Sequence, residues 1–334
     1  MGKKTLPTVT VVILGWKKFE LLKRAIKSVL GQTFKDFEIL VVAEDDDELF
    51  PQIQKICKDF NDDRIRVIRR ERRGISSGRT CGIRNARGKY IAFLDEDDEF
   101  LPNKLEKHVS ILEKSDDDVV LTYAQHWGWD RKNDYRVVTP LTKDGRSGYL
   151  YDYMLKRYFE TSILFQIWDA VIKKKYVKDL QFDPELFAGE DDFLLILAKK
   201  GKFIFISEVL YIQNLDAEFR PSTAPVNAMS FAKDSGTDII FNKQAEVIYK
   251  KHLDYIKEHG IKYNRTQGIS KSFLTKGARI ITMGDFKEGR RHILYSIKLR
   301  PSLYALFVYI LSFFGKKLFI KALKTRQKLR GGLG

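Results

Sequence analysis

Asp95, Asp97 and Asp98 fall within four residues at the end of the apolar run YIAFLD. Carboxylates this close repel one another and persist most easily when a cation neutralises them. Oxygen donors with no His or Cys nearby suit Mg2+ or Mn2+, which usually share such sites with substrate phosphates. An isolated D-x-D is more often a solvated acidic turn. Here the cluster follows a buried run and precedes a Pro-started helix, which favours the metal reading. A second acidic group, GEDD at 189–192, opens an apolar helix. One carboxylate there caps the helix and faces its positive end, but three in a row exceed that need. A spare carboxylate beside a metal-bound phosphate is a candidate general base. A third group, AEDDDE, occupies 43–48.

The elements that must position these acids alternate. VTVVIL (9–14), FEILVVA (37–43), RIRVIRR (64–70) and YIAFLD (90–95) read as strands, the first a β-branched run suited to burial on both faces. Between them lie helical patterns at FELLKRAIKSVLGQ, PQIQKICKDF (51–60) and 76–87. Leu22, Ala25, Ile26, Val29 and Leu30 recur at helical spacing before Gly31. Leu101–Lys114 is expected to be a helix with Pro102 in its first turn. This alternation predicts an α/β fold whose mostly parallel sheet is flanked by helices. Ligands of such sheets bind outside the carboxyl ends of the strands, so 43–48 and 94–99 should open on one edge. Beyond Val119 the pattern turns antiparallel, through VVLTYAQHWGWD and YRVVTPL. A helix FLLILAKK and a strand FIFISEVLYIQ follow, and residues 224–262 read as polar and mostly helical.

Composition narrows the class. Of 334 residues, 44% are apolar and 31% charged, which suits a globular chain rather than a disordered or polytopic one. Two cysteines, Cys57 and Cys81, make no disulfide framework, and the N-terminus lacks a secretory leader pattern. A cytoplasmic protein is the expectation. The formal net charge is +16, and the stretch from Lys271 onward carries 15 Lys and Arg against two acids. That stretch includes SLYALFVYILSFF (302–314) and then GKKLFIKALKTRQKLR. Its apolar run is short of the ~20 residues a membrane span needs. Aromatic residues beside lysines suit a helix lying in the plane of an anionic surface. The competing reading is a helix packed on the body. No nucleic-acid-binding motif is present.

Several ordered segments resemble the inverting glycosyltransferases of family 2, which have the GT-A fold. VTVVILGWKKFELLKRAIKSVLGQTFKDFEILVVAEDDDE is similar to the family's opening unit, with its S-V-L-x-Q-T and D-F-E-I signatures. GISSGRTCGIRNARGKYIAFLDEDDEFLPNKL is similar to the segment ending in the D-x-D motif, and FDPELFAGEDDFLL to the later E-D motif. The resemblance covers about 8–215. It implies metal-assisted transfer of a sugar from a nucleotide-diphosphate sugar (UDP or GDP type) to an acceptor hydroxyl, with Mn2+ or Mg2+.

By the same resemblance Trp16 stacks on the nucleotide base. Glu44, with Asp45 beside it, takes the place of acids that bond the base edge. Arg79 faces phosphate or holds the acidic loop, and Arg220 is the one basic residue near enough to reach the diphosphate from beyond the last strand. Asp95 meets the ribose or the metal's hydration shell, Asp97 ligates the metal, and Asp98 stands behind. Asp191 is the base, supported by Glu190. His126, Trp127 and Trp168 fall near the acceptor side, where packing is the commoner role. His108, His252, His259 and His292 are expected to be solvated. The expected organisation is a catalytic domain at 1–223 (nucleotide half about 1–98, acceptor half about 99–223), a helical subdomain at 224–300 and a basic contact tail at 301–334. Together with the tail, this suggests an enzyme peripheral on the cytosolic face of a membrane. Its acceptor would then be a glycan or a polyprenyl-phosphate-linked sugar. The alternatives are a metal-dependent nucleotidyltransferase, whose glycine-rich phosphate loop is missing, and a non-catalytic membrane-surface binding protein.

Overall fold

The computed structural model describes residues 6–71, 74–131, 134–139, 145–160, 165–186, 189–215, 247–261, 266, 270, 273–274, 277–278, 280–282 and 284–329. It divides into two compact units, one of 1–151 with 165–216 and one of 152–164 with 217–334.

The first unit is built on strands β1 (Val9–Gly15), β2 (Phe37–Glu44), β3 (Ile65–Arg70), β4 (Tyr90–Asp95), β5 (Glu99–Phe100), β6 (Val119–Asp130), β7 (Tyr135–Thr139), β8 (Ala170–Lys173) and β9 (Lys202–Asn214). They form one sheet in the order β3-β2-β1-β4-β8-β6-β9-β5, with β7 paired to β6. The pairs among β3, β2, β1 and β4 are parallel. Beyond β4 the sheet is mixed: β8 runs antiparallel to β4 and β6, while β6 and β9 are parallel. Helices α1 (Phe19–Leu30), α2 (Leu49–Asp59), α3 (Gly74–Asn85), α4 (Lys104–Lys114) and α6 (Glu190–Ala198) accompany the sheet, and α5 (Tyr151–Glu160) precedes β8. This is the expected α/β architecture.

Local chemistry explains the elements nearest the acids. β1 is buried on both faces, and Leu14 pairs with Val42 on one side and Asp95 on the other. The ends of β2 and β4 therefore open on one edge. α1 buries Leu22, Ala25, Ile26 and Val29. Beyond it the fully buried Gln32 donates to the Leu101 carbonyl and accepts from the Leu105 backbone. That side chain ties the end of α1 to the start of α4. The latter begins at Lys104, not Leu101. Pro102 precedes the helix, and its carbonyl accepts the Thr33 N–H. The Gln32 and Thr33 bonds hold this segment out of helical conformation.

α3 lies close on β1 because of its glycines. A Cβ at Gly82 would stand 2.4 Å from a Val12 methyl, so a side chain there would push the helix off the sheet. His108, His252 and His292 are buried rather than solvated, and His259 stays exposed. The correction for His108 has a clear cause: it lies on the inner face of α4 and bonds Thr122 of β6 at 2.7 Å.

In the second unit the described helices include α5 beyond Tyr151, α7 (Leu253–Glu258), α8 (Phe286–Leu299), α9 (Leu303–Leu311) and α10 (Lys316–Leu329). Asp285 and Ser302 cap α8 and α9 by accepting the N–H groups of Glu288 and Ala305. Ile281, Ile293, Val308, Leu311 and Phe319 form its core. Among the described residues, no helix is long and apolar enough to cross a membrane.

Candidate active site

The acids of the D-x-D segment extend from the carboxyl end of β4. One carboxylate oxygen from each of Asp95, Asp97 and Asp98 lies within 4.8 Å of the others. The three are not equivalent. Asp98 is fully buried and accepts from the Tyr211 hydroxyl and the Asn214 N–H, both at 2.8 Å. It anchors the loop to β9. Asn214 also donates to the Asp97 carbonyl at 2.8 Å, and Arg24 reaches that carbonyl at 3.1 Å. Asp95 is partly exposed, whereas Asp97 is buried and meets the Lys18 ammonium at 2.8 Å.

Glu96, between Asp95 and Asp97 in the chain, accepts the Trp16 N–H at 2.7 Å. Burial raises its carboxyl to about 7, against the pull of that N–H and of Lys18. Trp16, half-buried just beyond β1, is thereby fixed to the D-x-D loop, with the Lys17 ammonium over its ring. Glu44 pairs with Arg70 at 3.2 Å. Asp45 pairs with Arg69, which also holds Asp47 at 2.9 Å. Arg220 lies outside the described residues.

The E-D segment is delivered by a sharp start to α6. Gly189 caps it with φ +63, in the left-handed region that favours glycine. Phe193 stacks on Phe182 at 4.0 Å, and Phe182 packs edge-on against Phe93 of β4. α3 also grips the preceding segment. Thr80 accepts the Phe182 N–H, and Ser76 donates to the Leu186 carbonyl.

On the same helix face lies Arg79. Its guanidinium, 2% exposed, bonds Glu190 at 2.6 Å and Asp95 at 3.4 Å. One arginine therefore joins the D-x-D segment to the E-D segment, about a hundred residues apart in the chain. Burial raises the Glu190 carboxyl, and Arg79 partly offsets it. Asp191, half-buried next to it, is pushed up to about 7 by desolvation and by its neighbours Glu190 and Asp192. No side-chain hydrogen bond is made by Asp191 among the described residues, so its oxygens remain available.

Lys18, Glu96, Gln32, Tyr211 and Asn214 were not singled out from the sequence. Only Gln32 had a signal, as the Q of S-V-L-x-Q-T.

Residues 10–180 match the model of the family Glycosyl transferase family 2. The chain belongs to that family. An uncharacterised glycosyltransferase of Methanocaldococcus jannaschii is 31% identical over 216 residues, 63% of this chain and 71% of that protein. The putative colanic acid biosynthesis glycosyl transferase WcaA of Escherichia coli is 28% identical over 234 residues, covering 66% and 78%. The minor teichoic acid biosynthesis protein GgaB of Bacillus subtilis is 27% identical over 258 residues, covering 71% of this chain but 25% of its own length. Relatives from Rickettsia species are likewise matched over only 17% to 39% of theirs.

Two solved structures share the GT-A fold of this glycosyltransferase. The mannosyltransferase PcManGT of Pyrobaculum calidifontis, in complex with GDP-Man and Mn2+, has TM-score 0.53 and 15% identity, covering 96% of this chain and 87% of that one. S. aureus TarS 1-349 has TM-score 0.51 and 15% identity, covering 96% and 91%.

Proposed function

We propose that this family 2 glycosyltransferase moves a sugar, with inversion, from a nucleoside-diphosphate sugar to a hydroxyl of a glycan under construction. The observation that carries the reading is Arg79, which holds Asp95 of the donor-side loop and Glu190 of the catalytic helix on one guanidinium. Trp16 offers a π-face to the base. Gly15 pairs with Ala43, so Glu44 and Asp45 leave the neighbouring strand end, each engaged by an arginine.

The donor set fits a divalent cation: all oxygen, one carboxylate partly exposed, a second buried beside it and a third holding the loop rigid. Asp95 and Asp97 would hold Mn2+ or Mg2+, and Lys18 would give up Asp97 to it. Bound there, the ion supplies positive charge to the departing diphosphate. The remaining work is done by side chains. Asp191, charged above about pH 7, takes the proton from the attacking hydroxyl. Glu190 and Arg79 keep the start of α6 in register with the D-x-D loop. Attack from the face opposite the leaving group inverts the anomeric centre.

The test is nucleoside diphosphate release from UDP-GlcNAc and GDP-mannose with Mn2+ and no added acceptor. Slow release that stops with EDTA is expected. None with any nucleotide sugar would favour the non-catalytic reading, and pyrophosphate release from a nucleoside triphosphate with a sugar 1-phosphate, supplied in place of the nucleotide sugar, would favour the nucleotidyltransferase.

The acceptor is proposed to be membrane-proximal, on a glycan or a polyprenyl-phosphate-linked sugar at the cytosolic face. Relatives named for teichoic and colanic acid biosynthesis support a glycan acceptor. In the second unit Leu303, Phe307, Phe313 and Phe314 are 54% to 88% exposed, beside Lys317 and Lys321, also exposed. Apolar side chains bordered by lysines suit an anionic bilayer surface. Replacing Phe307, Phe313 and Phe314 together by Ser should reduce co-sedimentation with anionic vesicles at least fivefold without lowering Tm. Unchanged sedimentation would remove the membrane from the proposal.

A further inference from the structure

His126 is not used by the chemistry above, yet its surroundings are those of a working imidazole. It lies on β6, 5% exposed, and its Nδ1 faces both oxygens of Asp169 at 2.9 and 3.0 Å. Asp169 is fully buried and is fixed in turn by the Gln166 N–H at 2.9 Å. A carboxylate only accepts, so the shared proton sits on Nδ1, and in the neutral ring Nε2 is the acceptor. Among the described residues, no hydrogen bond occupies Nε2.

The strand pairing places the residue. Val171 of β8 pairs with Ala92 of β4 and with Thr122 of β6, which sets those residues at one level. Three residues further along the parallel strands stand Asp95 and Gln125, and His126 is one step beyond. Past a register shift in the β6–β9 pairing, His126 lies opposite Tyr211, with ring centroids 6.4 Å apart, and the Tyr211 hydroxyl holds Asp98 of the D-x-D loop. The support of His126 is shared with the site: the turn carrying Asp169 also gives the Ile167 N–H to Glu190. Trp168 of that turn stacks on Tyr211, whose hydroxyl holds Asp98.

We infer that His126 is an acceptor-binding residue whose Nε2 receives a hydrogen bond from a neutral sugar hydroxyl beside the reacting one, with Asp169 as its positioning residue. This rests on the transferase reading. An incoming sugar needs its hydroxyls oriented to attack in one register, and a contact to the donor sugar instead would change water-only and stimulated release alike. A histidine held in one tautomer by a buried carboxylate does that at little entropic cost.

The full chain with Mn2+ and UDP-GlcNAc or GDP-mannose is assayed for nucleoside diphosphate release, in water alone and with a panel of methyl glycosides. Release in water tests the transferase reading. The ratio of glycoside-stimulated to water-only release tests His126. His126→Ala and Asp169→Asn are expected to lower that ratio at least tenfold, with His126→Gln retaining part of it. An unchanged ratio in His126→Ala would overturn the assignment.

A second measurement covers misfolded variants and a wild type with no turnover. Diethyl pyrocarbonate should carbethoxylate His126 in the folded wild-type protein and leave the fully buried His108 untouched. Equal protection of the two would refute an open Nε2.

Discussion

Asp191→Asn is expected to lower sugar transfer by about 10²–10⁴-fold, the usual contribution of a general base, with affinity for the metal–nucleotide complex kept within about twofold. The amide is isosteric and cannot take a proton. Neither Asp95 nor Asp97 touches it among the described contacts, so donor binding should survive. Unchanged turnover would remove Asp191 from the base role. Wild-type turnover should also rise with pH along a limb near 7, since that is where desolvation places this carboxyl.

The same shift makes a prediction about stability. A carboxyl raised above its ordinary range contributes stability below that range and loses it as pH rises through about 7. Asp191→Asn removes that loss. The variant's Tm should therefore exceed wild type at pH 8 by about 2–4 °C, the shift that about 1 kcal/mol gives in a domain of this size, and by less at pH 5. A Tm gain larger at pH 5 would contradict the assigned direction.

Arg79→Met should be the most damaging single change to the fold of the site. It leaves Glu190 buried without its cation and releases Asp95 from the same group. Breaking a buried pair by removing one partner costs about 3–5 kcal/mol. Loss of turnover should follow even where the protein still folds, because the D-x-D loop and α6 are no longer held together. Arg79→Lys should recover part of the stability and little of the activity, since a single ammonium cannot fork between two carboxylates. Calorimetric Tm values and donor turnover read both effects. A Tm within 1 °C of wild type in Arg79→Met would show that the bridge is not structural.

How much of this was written in the sequence depends on the range of each interaction. The parallel half of the sheet was legible because β-branched runs and helical spacings are local patterns. So was the antiparallel hairpin of β6 and β7. The acids were visible as clusters at strand and helix starts. What joined them was not. Arg79 had been offered two roles, and its pairing with Glu190 spans 111 residues. Tyr211 and Asn214 looked like ordinary strand residues, and they acquire meaning only through the pairing that sets β9 beside β5 and under Asp98. Lys18 was unremarkable until β1 and β4 brought it to Asp97. The histidine reading failed for a related reason: a Lys-rich helix such as α4 still has an inner face, and His108 is on it.

The central claim is that the D-x-D segment forms, with a divalent cation, the binding site for a nucleoside diphosphate. The most direct test is calorimetric titration of UDP and GDP into wild type and Asp97→Ala, with and without Mn2+. At least one nucleotide should bind wild type at least tenfold more tightly with Mn2+ present, and Asp97→Ala should lose that difference. Equal affinity with and without the metal, or a full Mn2+ effect in Asp97→Ala, would contradict the account.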